Sequence, residues 1–151
     1  MAEPSVVDAV RALVAFTFRD VSGRTSSDGR YVAEGLRHLA ASIDALARRD
    51  TAGALHAQVA TALGRAAAEL EQESDDHVQS SIARAAFLSA AGSIAALQEH
   101  RFPHLSDTGA DVWRAASRLR ANELLAAQWM LVDEFFAVTS DALVAMTWRS
   151  L

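Results

Sequence analysis

The chain contains no cysteine. It therefore has no disulfide framework and no thiolate chemistry, and it cannot build a zinc site from cysteines. Only five histidines are present, and none stands three residues after a glutamate, the Glu-x-x-His spacing of di-iron helical bundles. We therefore predict no bound metal and no cofactor.

Lysine is also absent, and all 14 basic residues are arginines. We interpret this usage as the mark of a GC-rich bacterial genome and not of a function. The 19 acidic residues outnumber the arginines and give a net charge of -5. Because a nucleic-acid partner requires a clustered basic face, the scattered arginines argue against such a partner.

Glycine and proline are scarce, with seven and two residues respectively. The glycines are isolated from one another, so the sequence has no P-loop, no Gly-x-Ser-x-Gly and no Gly-x-Gly-x-x-Gly motif. The common motifs of hydrolases, kinases and dehydrogenases are therefore missing. Alanine, by contrast, forms roughly a fifth of the chain, and β-branched residues are sparse, which favours helix nearly throughout.

Long hydrophobic runs are missing as well. The longest apolar stretch, over 124–132, is interrupted by Gln128 and falls short of the roughly 20 residues that a membrane-spanning helix needs. The first residues carry no basic region that would mark a signal peptide. The sequence predicts a soluble, cytoplasmic protein without a membrane partner.

Capping and turn signals divide the chain into five helical segments. The first is expected over residues 5–19, followed by a turn-rich loop over 21–29, and the second over 30–49. A third runs to about residue 73, a fourth from about 74 to 100, and Pro103 separates it from the fifth. We predict one all-α domain over 1–151, an up-and-down bundle of about five helices with a long C-terminal helix.

The apolar spacing indicates which side chains form the core. On the first helix, Phe16 and Phe18 are expected to point away from the inner face, and on the third helix Leu55 is expected to point inward. The second helix has the clearest bundle seam, with apolar residues at alternating spacings of four and three. Its members are Val32, Leu36, Leu39, Ile43 and Leu46.

The segment 111–148 is the most informative part of the sequence, because it contains neither proline nor glycine. It is therefore expected to form a single long helix, the last and much the longest of the chain. Over 124–146, large apolar residues occupy nearly every side of this helix. A helix that is apolar all round lies in the centre of a bundle or in a subunit interface.

Three acids, Glu123, Glu134 and Asp141, fall on one side of this predicted helix. They could act as a general base or as metal ligands in a bundle core, or they could form a polar seam that faces solvent or pairs with arginines across an interface. At the helical rise, Glu123 and Glu134 lie roughly 16 Å apart and cannot share one ion. The spacing favours the polar seam.

Other polar and aromatic residues are candidates for ligand binding. Arg120 falls within an apolar stripe, where it would be buried and need a partner, either an anionic ligand or an acid of another helix. His100 projects on the side of Ser89 and Ser93, either as a partly buried acid/base group or as a charge at a helix end. Trp113 belongs either to a core or interface or to a ligand cage.

Four segments carry a resemblance to a known family: Ala-Leu-Gly-Arg-Ala-Ala-Ala at 62–68, His-Val-Gln at 77–79, Arg-Leu-Arg-Ala-Asn-Glu at 118–123 and Val-Asp-Glu-Phe-Phe at 132–136. Together they resemble the C-terminal helical bundle of acyl-CoA dehydrogenase-like flavoproteins over a little over half the chain. The resemblance implies a bundle used for oligomerisation as a stand-alone domain. The family's flavin-holding β-domain has no counterpart here, and Thr139-Ser140-Asp141 replaces its Gly-Gly segment, so no flavin or catalytic residue is transferred.

Two functions are consistent with these observations. The first is a non-catalytic bundle that forms a homodimer or higher homo-oligomer through its last helix and binds a partner protein or an apolar small molecule. The second is a small helical enzyme or accessory subunit acting on a hydrophobic substrate. The second requires Arg120, Glu123, Glu134 or His100 to be buried and to converge in an apolar pocket.

Overall fold

A computed structural model describes residues 5–18, 28–48 and 53–150, and all regular structure in these ranges is helical. This confirms the predicted all-α bundle with a long C-terminal helix. The helices are α1 (Val6–Thr17), α2 (Asp28–Ala47), α3 (Gly53–Gln72), α4 (Asp76–Arg101), α5 (Ser106–Ser117) and α6 (Trp129–Ser150). Most of the loop predicted over 21–29 lies outside the described residues, and its last two positions already belong to α2.

Consecutive helices are neighbours in space, as expected for short connections. α2 packs most extensively on α3, α3 contacts α4, and α4 contacts α5. α6 packs on both α5 and α1, so the last helix returns to the first and closes the bundle. Local caps fix two of the starts: the Ser5 side chain accepts from the Asp8 amide, and the Asp75 side chain accepts from the amides of His77 and Val78.

The seam predicted on α2 is confirmed, since all five of its residues are buried. Two other face predictions are wrong. Phe16, expected to point outward, is fully buried, because α1 turns it toward aromatic residues of α2 and α6. Leu55, expected inside, is exposed, and the neighbouring His56 is buried in its place.

Four phenylalanines from three helices form the centre of the core. Phe87 of α4 stacks on Phe135 of α6 with ring centroids 3.9 Å apart. Phe136 makes edge contacts with Phe16, Phe87 and Phe135 at centroid distances of 5.3, 5.4 and 5.5 Å. Because edge-to-face contact is a favourable geometry of aromatic rings, the contacts of Phe136 join α1, α4 and α6 specifically.

The predicted single helix over 111–148 is wrong. α5 ends at Ser117, residues 118–124 leave the helix, a 3-10 turn covers Leu125–Gln128, and α6 then begins at Trp129. The described chain therefore has six α-helices and not five. α6 is long, at 22 residues, but α4 is longer, at 26.

α4 is also the one helix in the described ranges that is long and apolar enough to cross a membrane. Half of the most apolar 18-residue segment of α4 is buried inside the bundle. A core helix of a soluble protein passes the same test, so the length and composition of α4 are weak evidence for a membrane.

The close approach of α2 to the aromatic cluster depends on Gly35. A Cβ atom there would lie 2.6 Å from Phe136 Cε1 and 2.8 Å from Phe16 Cε1. Gly35→Ala should therefore lower the free energy of unfolding by about 1–3 kcal/mol through overpacking, although alanine favours helix. Gly64→Ala on α3, where a Cβ meets no atom within 4 Å, is the matched control and should stabilise by about 0.5–1 kcal/mol. Urea unfolding of both variants tests this, and equal effects would contradict it.

Candidate functional site

The connection between α5 and α6 is shaped by one buried side chain, Gln128. Its Oε1 accepts a hydrogen bond from the Arg120 amide at 2.6 Å, and its Nε2 donates to the Arg120 carbonyl at 2.8 Å. The same Nε2 lies 3.3 and 3.4 Å from the carbonyl oxygens of Glu123 and Leu124. Gln128 thus replaces helical hydrogen bonds with side-chain ones and holds the backbone in a compact turn.

α4 supports this turn from the other side. The Ser80 hydroxyl donates to the Glu123 carbonyl at 2.5 Å, and Arg84 Nε donates to the Leu119 carbonyl at 3.1 Å. Leu119 and Leu125 are both buried. The break in the helix therefore buries two leucines, and α4 gives side-chain donors to the carbonyls of Leu119 and Glu123.

The turn and the start of α6 line a cavity of about 850 Å³ that is open to solvent, which we name the α5–α6 groove. Two ion pairs line it: Arg120 Nη1 lies 2.8 Å from Glu123 Oε1, and Arg118 Nη1 lies 2.5 Å from Glu134 Oε2. The remaining lining residues are mostly apolar or neutral. They are Ser117, Ala127, Gln128, Trp129, Met130 and Leu131.

The groove corrects the prediction for Arg120. Its side chain is 68% exposed and paired with a neighbour three residues away, so it is not a buried arginine in need of a distant partner. The helical wheel placed it incorrectly because α5 ends before it. Exposed pairs of this kind contribute little to stability, typically about 0–1 kcal/mol.

The predicted common helix side of the three acids does not form, because Glu123 lies in the turn before α6. Glu123 and Glu134 both line the groove, partly exposed and each paired with an arginine, whereas Asp141 is exposed two turns further along α6. Trp113 is half-exposed on α5 and is not among the groove residues. In the described residues, no group of three or more His, Asp or Glu side chains could hold a metal ion.

His100 is exposed near the end of α4, at the rim of a second cavity of about 430 Å³ that we name the α3–α4 pocket. Inside it, Nδ1 of the buried His56 lies 2.6 Å from Oγ of the buried Ser93. Sequence reasoning placed Ser93 near His100 but missed His56. His56 and Ser93 are 37 positions apart and lie on different helices, so the apolar spacing within one helix cannot predict their contact.

An ion pair between α2 and α3 lies away from both cavities and displaces the pKa of one carboxyl group. Arg37 of α2 donates to the Glu71 carboxylate at the end of α3, and this hydrogen bond lowers the pKa of Glu71. Acids at a helix C-terminus oppose the helix dipole, and Arg37 offsets that repulsion. The pair explains how α3 ends in acidic residues.

α6 presents one continuous face to solvent, which we name the outward face of α6. Its residues recur at spacings of four and three: Met130, Glu134, Ala137, Asp141, Val144 and Trp148. Met130 is 67% exposed and Trp148 is 72% exposed, at opposite ends of the helix. The opposite side of α6 contains Phe135, Phe136 and Leu143 and is fully buried.

No protein-family model, curated protein or solved structure matches this chain. The resemblance to the bundle of acyl-CoA dehydrogenase-like flavoproteins therefore stays a prediction from the sequence. Three features of the described surface bear on function: the outward face of α6, the α5–α6 groove and the α3–α4 pocket.

Proposed function

We propose that this protein is a non-catalytic helical bundle that forms a homodimer through the outward face of α6. The observation that carries the proposal is the exposure of two large apolar side chains, Met130 and Trp148, at the two ends of one helix face. Solvent-facing helices normally carry polar residues at such positions, and aromatic and methionine side chains are enriched in interfaces.

The spacing of this face is self-complementary. Met130 and Trp148 each lie nine residues from Thr139, and Ala137 and Asp141 each lie two residues from it. In an antiparallel pair of α6 helices related by a twofold axis at the level of Thr139, which itself faces the core, Met130 of one copy therefore faces Trp148 of the second copy. The alternating spacing of four and three is the one that packs two helices along a seam.

Charge is complementary in the same arrangement. Asp133 and Glu134 lie near the beginning of α6, whereas Arg149 lies in its last turn. Antiparallel pairing brings the acidic end of one helix toward the arginine of the other. It also places Trp129 level with Arg149 of the second copy, a pair of types that attract through the cation–π interaction.

The centre of the seam contains a small residue and an acid. In the antiparallel arrangement, Asp141 faces Ala137 of the second copy, so each carboxylate meets a methyl group and solvent and does not meet the other carboxylate. Ala137 also permits close approach of the two helices. A parallel pair would instead place Asp141 against Asp141 and Glu134 against Glu134, which like-charge repulsion disfavours.

The alternative of a small enzyme receives less support from the same geometry. It requires buried polar groups that converge in a pocket, but Arg120 is exposed, Glu123 and Glu134 are partly exposed, and all three are ion-paired in an open groove. His100 lies at the rim of a different cavity. We therefore favour association over catalysis for the α5–α6 region.

Sedimentation of the purified chain at micromolar concentration tests the dimer. We expect a dimer for the natural sequence, and Trp148→Glu should raise the dissociation constant at least about thirtyfold, because it places a charge at a buried anchor of the interface. Trp113→Glu is the matched control, since Trp113 is also an exposed tryptophan but lies on α5. A monomeric natural protein, or equal disruption by Trp113→Glu, would overturn the proposal.

The absence of cysteine makes the orientation directly testable. The double variant Ala137→Cys, Asp141→Cys should form an intermolecular disulfide in an antiparallel pair, because the two positions face each other across the axis. Ala137→Cys alone should not. Efficient cross-linking of the single variant would indicate a parallel pair and contradict the proposed orientation.

A further inference from the structure

The outward face of α6 is too small to form a stable dimer interface alone. It consists of six residues on one helix, and three of them, Glu134, Ala137 and Asp141, are charged or small. A standard interface buries roughly 800 Å² on each partner and involves about 20–30 residues a side. A stable dimer therefore needs further surface next to this face.

The α5–α6 groove provides such a surface at one end of the face. Met130 and Glu134 belong to the outward face of α6 and also line the groove, so the two surfaces are continuous. The volume of the groove, about 850 Å³, is within the roughly 300–1,000 Å³ that binding pockets span. Trp129 in its lining is 47% exposed, and Leu124 in the same turn is 43% exposed. Apolar surface continuous with the proposed interface is thus open to solvent in the single chain.

Antiparallel pairing determines which part of the second copy lies at the groove. With the twofold axis at the level of Thr139, residues 130–134 of one α6 lie opposite residues 144–148 of the other. The largest side chain in that range is Trp148, which is 72% exposed. The indole ring of the second copy is therefore the group that the arrangement brings to the groove.

The groove has the chemistry that an indole ring requires. Its apolar lining residues Trp129, Met130 and Leu131 can contact the faces of the ring, and a methionine sulfur interacts favourably with an aromatic ring. The indole N–H needs an acceptor when it is buried. Arg118 Nη1 lies 2.5 Å from Glu134 Oε2, and the other oxygen of that carboxylate is a further acceptor. The groove therefore combines an apolar wall with a hydrogen-bond acceptor.

The charges of the groove favour a neutral side chain as its occupant. The lining contains two arginines and two acids joined in two ion pairs, so their formal charges cancel. A charged side chain that entered the groove would lose its hydration without meeting a net opposite charge. Trp148 is neutral, whereas Arg149 is charged and points roughly 100° away around the helix. This difference selects Trp148 over Arg149.

We propose that the α5–α6 groove of each copy binds the Trp148 side chain of the second copy, so that the dimer contains two equivalent anchor sites, each built from both chains. The proposal rests on the proposed dimer and adds residues outside α6 to its interface, among them Ser117 of α5 and Ala127 of the turn. Tryptophans in well-packed pockets are among the residues that dominate binding energies. Because of the twofold axis, the two anchor sites are identical.

Filling the groove tests this assignment on the full-length chain. Ser117→Trp places a large side chain in the groove from α5, and the dissociation constant measured by sedimentation should rise at least about tenfold. Ser106→Trp is the matched control, because Ser106 is an exposed serine at the other end of α5 and is not among the groove residues. It should change the dissociation constant by less than about twofold. Circular dichroism reports whether both variants keep the helical fold.

A double-mutant cycle identifies the occupant of the groove. In a Trp148→Ala background, measured at higher protein concentration, Ser117→Trp should raise the dissociation constant by less than about twofold, because the side chain with which it competes is gone. A tenfold effect in both backgrounds would mean that another part of the second copy occupies the groove, and it would overturn the proposal. Ala127→Trp, which fills the groove from the turn, provides the same test if Ser117→Trp does not fold.

The outcomes separate the groove assignment from the dimer itself. A loss of affinity with Ser117→Trp, absent from both Ser106→Trp and the Trp148→Ala background, supports the assignment. If the natural chain is dimeric and groove-filling variants leave its dissociation constant unchanged, the assignment is overturned and the dimer through α6 stands. A monomeric natural chain overturns both.

Discussion

Phe136→Ala should lower the free energy of unfolding by about 3–5 kcal/mol, the largest effect that we expect from any single substitution in this protein. Phe136 is fully buried and touches Phe16, Phe87 and Phe135, which belong to α1, α4 and α6. Its ring also lies 6.2 Å from that of Tyr31 on α2. Removing it leaves a cavity where four helices meet, and the rigid aromatic neighbours can collapse into that cavity only partly.

Urea unfolding followed by circular dichroism measures this loss. Phe18→Ala is the matched control, because Phe18 is the same residue type but is 83% exposed, and its replacement should change stability by less than about 0.5 kcal/mol. A second control uses Gly35. If the ring of Phe136 is what a new methyl group at residue 35 strikes, Gly35→Ala should cost less in a Phe136→Leu background. Equal losses in Phe136→Ala and Phe18→Ala would contradict the central role of the cluster.

The core of the bundle could be predicted from the sequence wherever one helix presents one regular seam. On α2, the alternating spacing of leucine, isoleucine and valine identified five buried residues correctly. On α1 the same reasoning failed for Phe16, because two phenylalanines flank the face and only tertiary contact with Phe136 selects one of them. Helical periodicity identifies the buried face of a helix, but it does not determine which large residue at the edge of that face is buried.

The break after α5 could not be predicted from the local sequence, because no proline or glycine marks it. It is produced by hydrogen bonds from other parts of the chain: Ser80 and Arg84 of α4 bond to carbonyls of the turn, and Gln128 bonds back to Arg120. The sequence shows Gln128 within an apolar run. It does not show whether that side chain is buried against the backbone of the turn, since it could equally have faced solvent.

The candidate sites were predictable to different degrees. Glu123 and Glu134 line one groove with two arginines, but Glu123 lies before α6, so the two acids do not share the helix side that the sequence predicted. The predicted burial of Arg120 was wrong, because the helix on which it was expected ends at Ser117. The His56–Ser93 contact joins α3 and α4, and neither residue has a motif around it. Sites made of single residues from separate helices leave no spacing signal within a segment.

Gln128→Leu should lower the free energy of unfolding by about 2–4 kcal/mol, although leucine is more hydrophobic and similar in size. The amide and the carbonyl of Arg120 would both lose the partner they have in Gln128. The carbonyls of Glu123 and Leu124 would suffer less, because they also accept from the Ser80 hydroxyl and from the Ala127 amide. The expected loss therefore comes mainly from two backbone groups at one residue.

Hydrogen exchange at the Arg120 amide, combined with urea unfolding, separates a local from a global effect. In Gln128→Leu we expect fast exchange at Arg120, whereas Gln128→Glu should retain more of the protection, since a carboxylate oxygen still accepts from that amide. Gln72→Leu, at an exposed glutamine near the end of α3, is the control and should change neither quantity. If Gln128→Leu keeps both its stability and a protected Arg120 amide, Gln128 is not what shapes the turn. If both the stability and the protection of the Arg120 amide are lost, the side-chain amide of Gln128 determines where the Arg120–Glu123 pair and Trp129 lie in the α5–α6 groove. The start of α6, with Met130 in its first turn, then depends on the same side chain.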